Sequence, residues 1–379
     1  MDREPAHIAI VGGSIAALEA AIGLSDSFVM RATVTVITSS TEFVYTPFAV
    51  LEPFGLGKAS KFDLRETLAN PRVSIVEDVA SRVDVDRRVV CTAAGREVAF
   101  DAAVVATGAQ RHAVLDNAIT IGGPGGIERM GFLVAEIDAG TVGTVVFAIP
   151  PGITWTLPLY ELAMLTAARA KSRLRDSVRV VLVTAEDEPL AIFGHQASRR
   201  IRELLDERDV ELATSTHAVN YDGESLELAM RENIAADRVV AMPRLFGQPI
   251  PGLPHDRDGF LQTDAFGLID GLKDVYAAGD VTAFPVKQGG IAAQQADAVV
   301  SALEARFGQR EEAEPFHPDL RGILVTENEE LFMHAQFAAG GRDTAELSND
   351  PLWNPGDKIY SKHLSRRLNW LTAAKEAAS

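Results

Sequence analysis

The chain has 379 residues and a formal net charge of −17, from 53 acidic and 36 basic side chains. At roughly 100–200 residues per domain, this length predicts two or three domains. The acidic surface would repel a phosphate backbone, which argues against nucleic acid as a partner. The single cysteine, Cys91, excludes an internal disulfide, a Cys-x-x-Cys redox pair and a cysteine-rich metal site. We predict no metal site.

Neither the N-terminus nor any apolar run indicates a secreted or membrane-spanning protein. Residues 1–5 are acidic rather than basic, unlike the start of a signal peptide. No stretch reaches the roughly 18 uninterrupted apolar residues of a spanning helix. Together with the lone cysteine, these features predict a cytoplasmic protein.

The first predicted strand leads through a glycine turn into a helix. Residues 7–11 (HIAIV) form the strand, residues 12–17 (GGSIAA) the turn and residues 18–24 the helix. This order is the context that a dinucleotide-binding fingerprint requires, with the pyrophosphate at the helix N-terminus. The residues predicted to bind it are Gly12, Gly13, Ser14, Ala16 and Ala17. The alternative is a βα turn that binds nothing.

The second strand, residues 32–37 (ATVTVI), is expected to end with an acid that holds the adenine ribose. Thr38 and Ser39 stand at that position instead. We predict that their hydroxyls contact the ribose, and Glu42 is a further candidate for this contact.

Two later strands end in short motifs. Residues 101–109 (DAAVVATGA) read as a buried strand that ends in Ala-Thr-Gly, and residues 275–280 (VYAAGD) as one that ends in Gly-Asp. With the N-terminal turn, these motifs resemble those of the flavoproteins with two dinucleotide-binding domains, the pyridine nucleotide-disulfide oxidoreductase superfamily. The resemblance implies non-covalent FAD, with the aspartate on the ribitol. The residues that it places on FAD are Ala106, Thr107, Gly108, Gly279 and Asp280.

Within the superfamily, the chain resembles the branch of sulfide:quinone oxidoreductases and type II NADH dehydrogenases. The similar segments are residues 43–47 (FVYTP), 51–58 (LEPFGLGK) and 284–297 (FPVKQGGIAAQQAD). The resemblance implies that a helix over residues 291–307 points its N-terminus at the flavin, where its dipole stabilises negative charge. It places Pro47, Lys287, Gln288 and Gly290 on the flavin and gives Lys287 a catalytic role. The alternative is a surface lysine before an amphipathic helix.

The resemblance implies an α/β fold of two interleaved Rossmann-like dinucleotide-binding domains plus a C-terminal segment. It places a discontinuous FAD-binding domain at residues 1–112 and 249–319, a second, NAD(P)-domain-like unit at residues 113–248, and the C-terminal segment at residues 320–379. The chain passes from the FAD-binding domain to the second unit and later returns. A loop rich in glycine and proline, residues 122–126, follows the first passage, and another, residues 243–254, forms the return. The second unit alternates strand and helix, at residues 144–149, 159–174, 178–184 and 197–207.

Cys91 falls in the first strand of a predicted β-hairpin, residues 87–91 and 96–100. We interpret it as a structural thiol. The disulfide reductases of the superfamily carry a redox cysteine pair, and the sulfide:quinone enzymes use two or more catalytic cysteines. The chain has neither, which excludes dithiol–disulfide exchange and a persulfide relay as its main chemistry.

The central unit lacks a second glycine fingerprint. Its strand leads into residues 150–161 (PPGITWTLPLYE), where prolines offer no N–H to a pyrophosphate. NAD(H) is therefore disfavoured, although not excluded. Residues 186–188 (EDE) are interpreted as a solvated loop, with an NADH ribose contact as the alternative.

The same loop would face the flavin in the related enzymes. The resemblance places Glu161 near flavin N5, where burial would raise its pKa and suit it to relay a proton. The alternative is a helix acid that only complements the dipole. Pro151 and Trp155 are candidate substrate contacts, and Trp155 is alternatively a core residue.

The C-terminal segment ends in a basic amphipathic helix. Tyr360, Leu364, Leu368 and Leu371 recur at helical spacing, and the basic residues lie on other faces. Peripheral membrane contact is one interpretation. Docking on the protein's own surface, or on a second subunit, is the preferred one.

These features predict an FAD-dependent oxidoreductase. It would pass electrons from a small organic donor or a nicotinamide to a small acceptor, with a quinone as one candidate. The partners expected are small molecules and a second copy of the chain. The alternative is a non-catalytic flavin- or nucleotide-binding protein on the same fold.

Overall fold

The computed structural model describes residues 5–27, 29, 31–175, 177–308, 310–338 and 341–378. The helices are α1 (Ile15–Asp26), α2 (Leu64–Thr67), α3 (Gly126–Ala139), α4 (Leu157–Ser172), α5 (His195–Asp206), α6 (Gly289–Phe307) and α7 (Leu364–Ala378). Two 3₁₀ helices cover Ala49–Phe54 and Ala191–Phe193.

The first sheet is parallel throughout and has five strands. They are β1 (Ala6–Val11), β2 (Ala32–Thr38), β5 (Val73–Glu77), β9 (Ala102–Val105) and β20 (Val275–Ala277), in the spatial order β20-β9-β1-β2-β5. Alternate residues of β1 face opposite sides of the sheet, as strand geometry requires. Ile8 and Ile10 pack under α1 and α6, whereas Ala9 and Val11 pack against the small sheet described below.

The second sheet is also parallel and has five strands. They are β11 (Ile119–Thr120), β12 (Thr144–Ala148), β13 (Arg179–Val183), β14 (Val210–Ala213) and β18 (Arg238–Ala241), in the order β11-β18-β12-β13-β14. All five come between β9 and β20 in the chain. The predicted fold of two interleaved Rossmann-like units is therefore confirmed.

Two short strands lie where the chain passes from the first unit to the second and back. β10 (Ala109–His112) follows the Ala-Thr-Gly turn, and β19 (Arg244–Gly247) lies in the predicted return segment. They pair antiparallel, so the outgoing and returning chains are held side by side. The domain boundaries proposed above fall next to this ribbon.

A three-stranded antiparallel sheet forms the first half of the C-terminal segment, and the sequence analysis did not predict this sheet. Its strands are β21 (Asp319–Val325), β22 (Glu330–Ala338) and β23 (Gly341–Ser348). Leu320, Ile323 and Leu324 of β21 belong to the same hydrophobic core as α4. This packing brings the C-terminal segment against the central unit.

The remaining strands form small antiparallel sheets. These are β3 (Glu42–Tyr45) with β4 (Ser60–Asp63), β6 (Ala80–Asp84) with β7 (Val89–Thr92) and β8 (Glu97–Ala99), and β15 (Ala218–Tyr221) with β16 (Ser225–Leu228) and β17 (Ile234–Ala235). The β7–β8 pair is the predicted hairpin, and Cys91 lies in its first strand opposite Glu97. The sequence missed β6, which adds a third strand to this hairpin.

Helix α7 docks on the first unit. Leu364, Leu368 and Leu371 are buried in the core beneath α1, while Trp370 on another face remains 63% exposed. The predicted apolar face thus contacts the protein itself. The prediction that Tyr360 belongs to the helix is wrong, because α7 begins four residues later. The centre of the Tyr360 ring instead lies 4.3 Å from the Arg321 guanidinium carbon.

Candidate active site

A cavity of about 400 Å³ opens at the carboxyl ends of β1, β9 and β20. The starts of α1, α4 and α6 meet there, and residues Lys358 and Ile359 of the C-terminal segment close one wall. In an open parallel sheet, this edge is where ligands bind. The predicted site residues that line the cavity are Ser14, Ala16, Pro47, Ala106, Gly108, Trp155, Glu161, Gly279, Asp280, Lys287 and Gln288.

The glycine turn after β1 allows two parts of the backbone to approach closely. Gly12 has φ +134°, and a Cβ there would lie 2.2 Å from the Ala106 carbonyl oxygen. A Cβ on Gly13 would lie 2.3 Å from the Thr38 hydroxyl. Both positions therefore require glycine, and the turn brings the three predicted motifs together at one end of the sheet.

The other predicted residues are not among those that line the cavity. Thr38 is buried beneath the glycine turn, where its hydroxyl donates to the Ser40 carbonyl at 3.0 Å. Ser39 is exposed, and Glu42 forms a 3.0 Å ion pair with Lys61. The residues that complete this group are Gly12, Gly13 and Thr107 of the turns, Ala17 inside α1, Gly290 inside α6, and the exposed Pro151.

Asp280 and Lys287 face each other across the floor of the cavity. Burial raises the pKa of the Asp280 carboxyl, and the Lys287 charge partly opposes this shift. Burial also lowers the pKa of Lys287 to about 8. The Lys287 ammonium donates to the Asp280 carbonyl at 3.1 Å and to the Thr282 carbonyl, and it lies 4.0 Å from the centre of the Phe260 ring.

Gln288 caps α6 at the cavity wall. Its side-chain oxygen accepts from the Ile291 amide at 2.9 Å, and its amide nitrogen donates to the Arg321 carbonyl at 3.2 Å. A Cβ on the neighbouring Gly289 would lie 2.4 Å from Ile359 and 2.8 Å from Ile15. The α6 N-terminus therefore sits tightly between the glycine turn and the C-terminal segment.

Glu161 forms a buried ion pair with Lys358. Their side chains are 1% and 6% exposed, and the Oε1–Nζ distance is 2.6 Å. Oε1 also accepts from the Val325 amide at 2.8 Å, and the Lys358 ammonium donates to the Pro47 carbonyl at 3.1 Å. Burial raises the pKa of Glu161, although the Lys358 charge opposes this. Glu161 is the fifth residue of α4, and its carboxyl is buried beside Lys358 rather than exposed at the helix end.

Sequence reasoning missed Lys358. It stands in residues 350–359 (DPLWNPGDKI), where nothing local distinguishes it from a surface lysine. A lysine flanked by Gly-Asp and a run of apolar residues is a weak signal. Only the fold brings it to Glu161, which is far away in the sequence.

Glu186 closes the N-terminus of α4. Its carboxyl accepts from Tyr160 at 2.7 Å, from Thr184 at 2.9 Å and from Thr156 at 3.3 Å. Burial raises the pKa of Glu186. The interpretation of residues 186–188 as a solvated loop is therefore wrong for Glu186, because three hydroxyls of the unit hold it inward.

Trp155 lines the cavity and also packs against the hydrophobic core of the central unit. Its ring is partly exposed and packs edge-on against Phe193, with 6.0 Å between the ring centres. The neighbouring Thr154 hydroxyl donates to the Pro285 carbonyl at 2.6 Å, which ties this loop to the segment before α6. Trp155 is thus placed to contact a ligand of the cavity.

The residues present fit an FAD-type ligand. Helix α1 has no side chain hydrogen-bonded as an N-cap, so its first amides face the cavity end free to bind an anion. The Thr107 hydroxyl is buried and has no hydrogen-bond partner among the described residues. Buried polar groups normally have partners, so this hydroxyl marks the second motif as a place where a partner is missing.

Solved structures share this fold over most of the chain. A sulfide:quinone oxidoreductase from Aquifex aeolicus superposes with a TM-score of 0.83 at 19% identity, covering 90% of this chain and 86% of that one. NDH2 from Plasmodium falciparum superposes with a TM-score of 0.60 at 12% identity, covering 74% of this chain and 64% of that one. A ferredoxin reductase from Rhodopseudomonas palustris superposes with a TM-score of 0.61 at 16% identity, covering 88% of this chain and 83% of that one. At such identities the similarity shows the fold.

No curated protein matches the chain significantly. Among the described residues, no helix combines the length and the apolar character needed to cross a membrane.

The model of one protein family matches the sequence itself. It is described as pyridine nucleotide-disulphide oxidoreductase, and it matches residues 6–138 and 160–302, more than two thirds of the chain. Both matched parts contribute to the cavity, and the predictions of an oxidoreductase and of a flavoprotein are confirmed at this level. The chain belongs to the pyridine nucleotide-disulphide oxidoreductase family, without the redox cysteine pair after which that family is named.

Proposed function

We propose that the chain is an FAD-dependent oxidoreductase that passes electrons from a small organic donor to a small acceptor, for which a quinone is the best candidate. The observation that carries this is the meeting of the predicted FAD motifs and the buried Glu161–Lys358 pair on one cavity. When bound, FAD supplies the redox chemistry, and the protein binds and orients the reacting groups and provides protons.

The residues that would hold FAD non-covalently come from the three motifs and from α6. The free amides at the start of α1 suit the pyrophosphate, and the Asp280 carboxyl suits a ribitol hydroxyl. The N-terminus of α6 offers a positive dipole end at the cavity wall. Lys287 adds a cation there whose charge is lost near pH 8.

The Glu161–Lys358 pair suits proton transfer. A quinone takes up two protons with two electrons, so its reduction needs a proton donor within the cavity. Burial holds the pKa of Glu161 above its usual range, and the short contact with Lys358 lets the two groups share a proton. The Pro47 and Val325 backbone contacts keep both side chains in place.

The central unit does not suit a nicotinamide. A dinucleotide pyrophosphate requires free amides at a helix N-terminus. At the start of α4 the Glu186 carboxyl, held by the Thr156 and Tyr160 hydroxyls, would repel a pyrophosphate, and the preceding loop contains Pro150 and Pro151, which have no N–H. We therefore propose that NADH reduces the flavin poorly and that NADPH does no better.

Anaerobic stopped-flow mixing tests the donor. The purified protein should show a flavin spectrum, should be bleached by dithionite, and should change only slowly with NADH. Complete reduction within a second at submillimolar NADH would restore an ordinary NADH dehydrogenase. A protein that holds flavin but exchanges electrons with no quinone would favour the non-catalytic alternative.

Reoxidation tests the acceptor. Chemically reduced protein is mixed with a water-soluble quinone, and the return of flavin absorbance is followed for wild type and for Glu161→Gln. We expect the variant to be slower by about 10²–10⁴-fold, the usual contribution of a positioned acid or base. Trp370→Phe, an exposed change on α7, is the control. Equal rates in wild type and Glu161→Gln would remove Glu161 from the proposal.

A further inference from the structure

Three potential metal ligands meet on the far side of the first unit, away from the cavity described above. Glu19 belongs to α1, Asp297 to α6, and His363 immediately precedes α7. One ligand atom from each lies within 4.8 Å of the others, and the His363 Nε2 to Asp297 Oδ1 distance is 4.0 Å. Glu19 is fully buried, and the other two are half-buried.

The hydrogen bonds of this cluster are incomplete. The Glu19 oxygens accept from the His363 and Leu364 amides at 2.8 and 2.6 Å, which fixes the carboxylate at the start of α7. The Oδ1 atom of Asp297 is inaccessible to solvent and accepts no hydrogen bond from the described residues. A buried polar atom without a partner is uncommon and indicates a missing proton, water or ion.

The charge of the cluster also favours a cation. Burial and the neighbouring Glu19 raise the pKa of Asp297 to about 8, because two adjacent carboxylates repel each other away from water. The other charged groups that face Asp297 or His363 are Asp26 of α1, Glu314, and Lys362 and Arg366 beside them. The two adjacent carboxylates of Glu19 and Asp297 would be neutralised by a cation bound between them and His363.

An ion can reach the cluster from solvent. Asp297 and His363 line a groove of about 1010 Å³ between α1, α6 and α7, which leaves room for coordinating water. Glu19 lies behind them and completes the set from inside. The groove and the flavin cavity have no lining residue in common.

We propose that Glu19, Asp297 and His363 bind one divalent transition-metal ion, with Zn²⁺ as the best match. One imidazole nitrogen and two carboxylates suit zinc, whereas magnesium and calcium prefer oxygen ligands alone. Bonds of about 2.0–2.2 Å require the three ligand atoms to draw closer, which side-chain rotation of the half-buried Asp297 and His363 permits. The ion would join α1, α6 and the start of α7.

Sequence reasoning did not predict this site because its ligands lie in three distant segments. No pair of them has the close spacing of a zinc motif. The proposal is independent of the flavin chemistry, since its ligands and its readouts do not involve the cavity.

Calorimetry on the purified full chain, freed of metal by chelation, tests the proposal. We expect saturable binding of one Zn²⁺ per chain at pH 7. The thermal midpoint should rise with Zn²⁺ concentration, as for any ligand of the native state.

Variants locate the ion. His363→Ala and Asp297→Asn should each weaken Zn²⁺ binding at least tenfold, whereas His317→Ala, in the same groove but outside the cluster, should leave it unchanged. His363→Ala keeps the backbone amide that bonds Glu19, so its fold is expected to persist even if Asp297→Asn does not fold. Absence of one-to-one binding, or equal affinity in wild type and His363→Ala, would overturn the proposal.

Discussion

Replacing Lys358 by methionine removes the only cation that touches Glu161 among the described residues. The carboxyl is 1% exposed and keeps only the Val325 amide as a partner. Breaking a buried ion pair on one side typically costs 3–5 kcal/mol. Glu161 can limit this cost by taking up a proton, which at pH 7 requires about 3.7 kcal/mol for a group of ordinary pKa about 4.3. We therefore expect the Lys358→Met change to lower the free energy of unfolding by about 3–4 kcal/mol at pH 7.

The loss should depend on pH in one direction. In the Lys358→Met variant, the folded protein holds a proton on Glu161 that the unfolded chain releases above pH 4–5. Because the folded state then binds more protons, the free energy of unfolding falls as the pH rises. By the same reasoning, the cost shrinks to about 1 kcal/mol at pH 5.

Urea unfolding of four proteins measures this. Wild type, Lys358→Met, Glu161→Gln and the double variant are compared at pH 5 and pH 7, with the pH dependence of wild type subtracted. The double variant should lose less free energy of unfolding than the two single variants lose in sum, by 1 kcal/mol or more. Additive effects within about 0.5 kcal/mol, or a Lys358→Met cost that is the same at both pH values, would refute the reasoning.

Three further predictions concern the flavin site and the cysteine. Asp280→Ala should raise the FAD dissociation constant at least tenfold, since a charge-assisted hydrogen bond contributes about 1.5–3 kcal/mol, and an unchanged constant in a folded variant would contradict the assignment. Gly12→Ala should abolish flavin binding or folding, because its Cβ would overlap the Ala106 carbonyl, whereas Gly131→Ala in α3 should be neutral or stabilising by up to about 1 kcal/mol in a thermal melt. Cys91→Ser should leave flavin reduction and turnover intact, and a large loss of turnover at normal flavin content would show that the thiol has a chemical role.

Local patterns in the sequence predicted the parts of the fold that depend on local geometry. The strand ends at Gly12, Gly108 and Gly279 need glycine conformations that the motifs display directly. The same holds for α6, whose start is marked by Gln288 and two glycines. Short motifs are therefore sufficient to identify the end of the first sheet at which the cavity lies.

Contacts between distant segments could not be predicted in this way. Lys358 reaches Glu161 only because the C-terminal sheet packs on α4. Glu186 resembles its acidic neighbours, and its inward position depends on the nearby Thr184 hydroxyl and on two hydroxyls from the start of α4. Helix α3 was missed because it follows a run of glycines that indicates a loop.

The position of Lys358 and Ile359 in the cavity wall has a consequence for how the protein is made. A ribosome synthesises the glycine turn at Gly12 first and these wall residues more than three hundred residues later. Until they emerge, Gly289 lacks the Ile359 side chain that packs against it, and Glu161 lacks its Lys358 counter-ion. If the cavity holds FAD as we propose, a chain that ends before residue 358 would lack this wall and the Glu161 counter-ion, and it should retain the flavin less well.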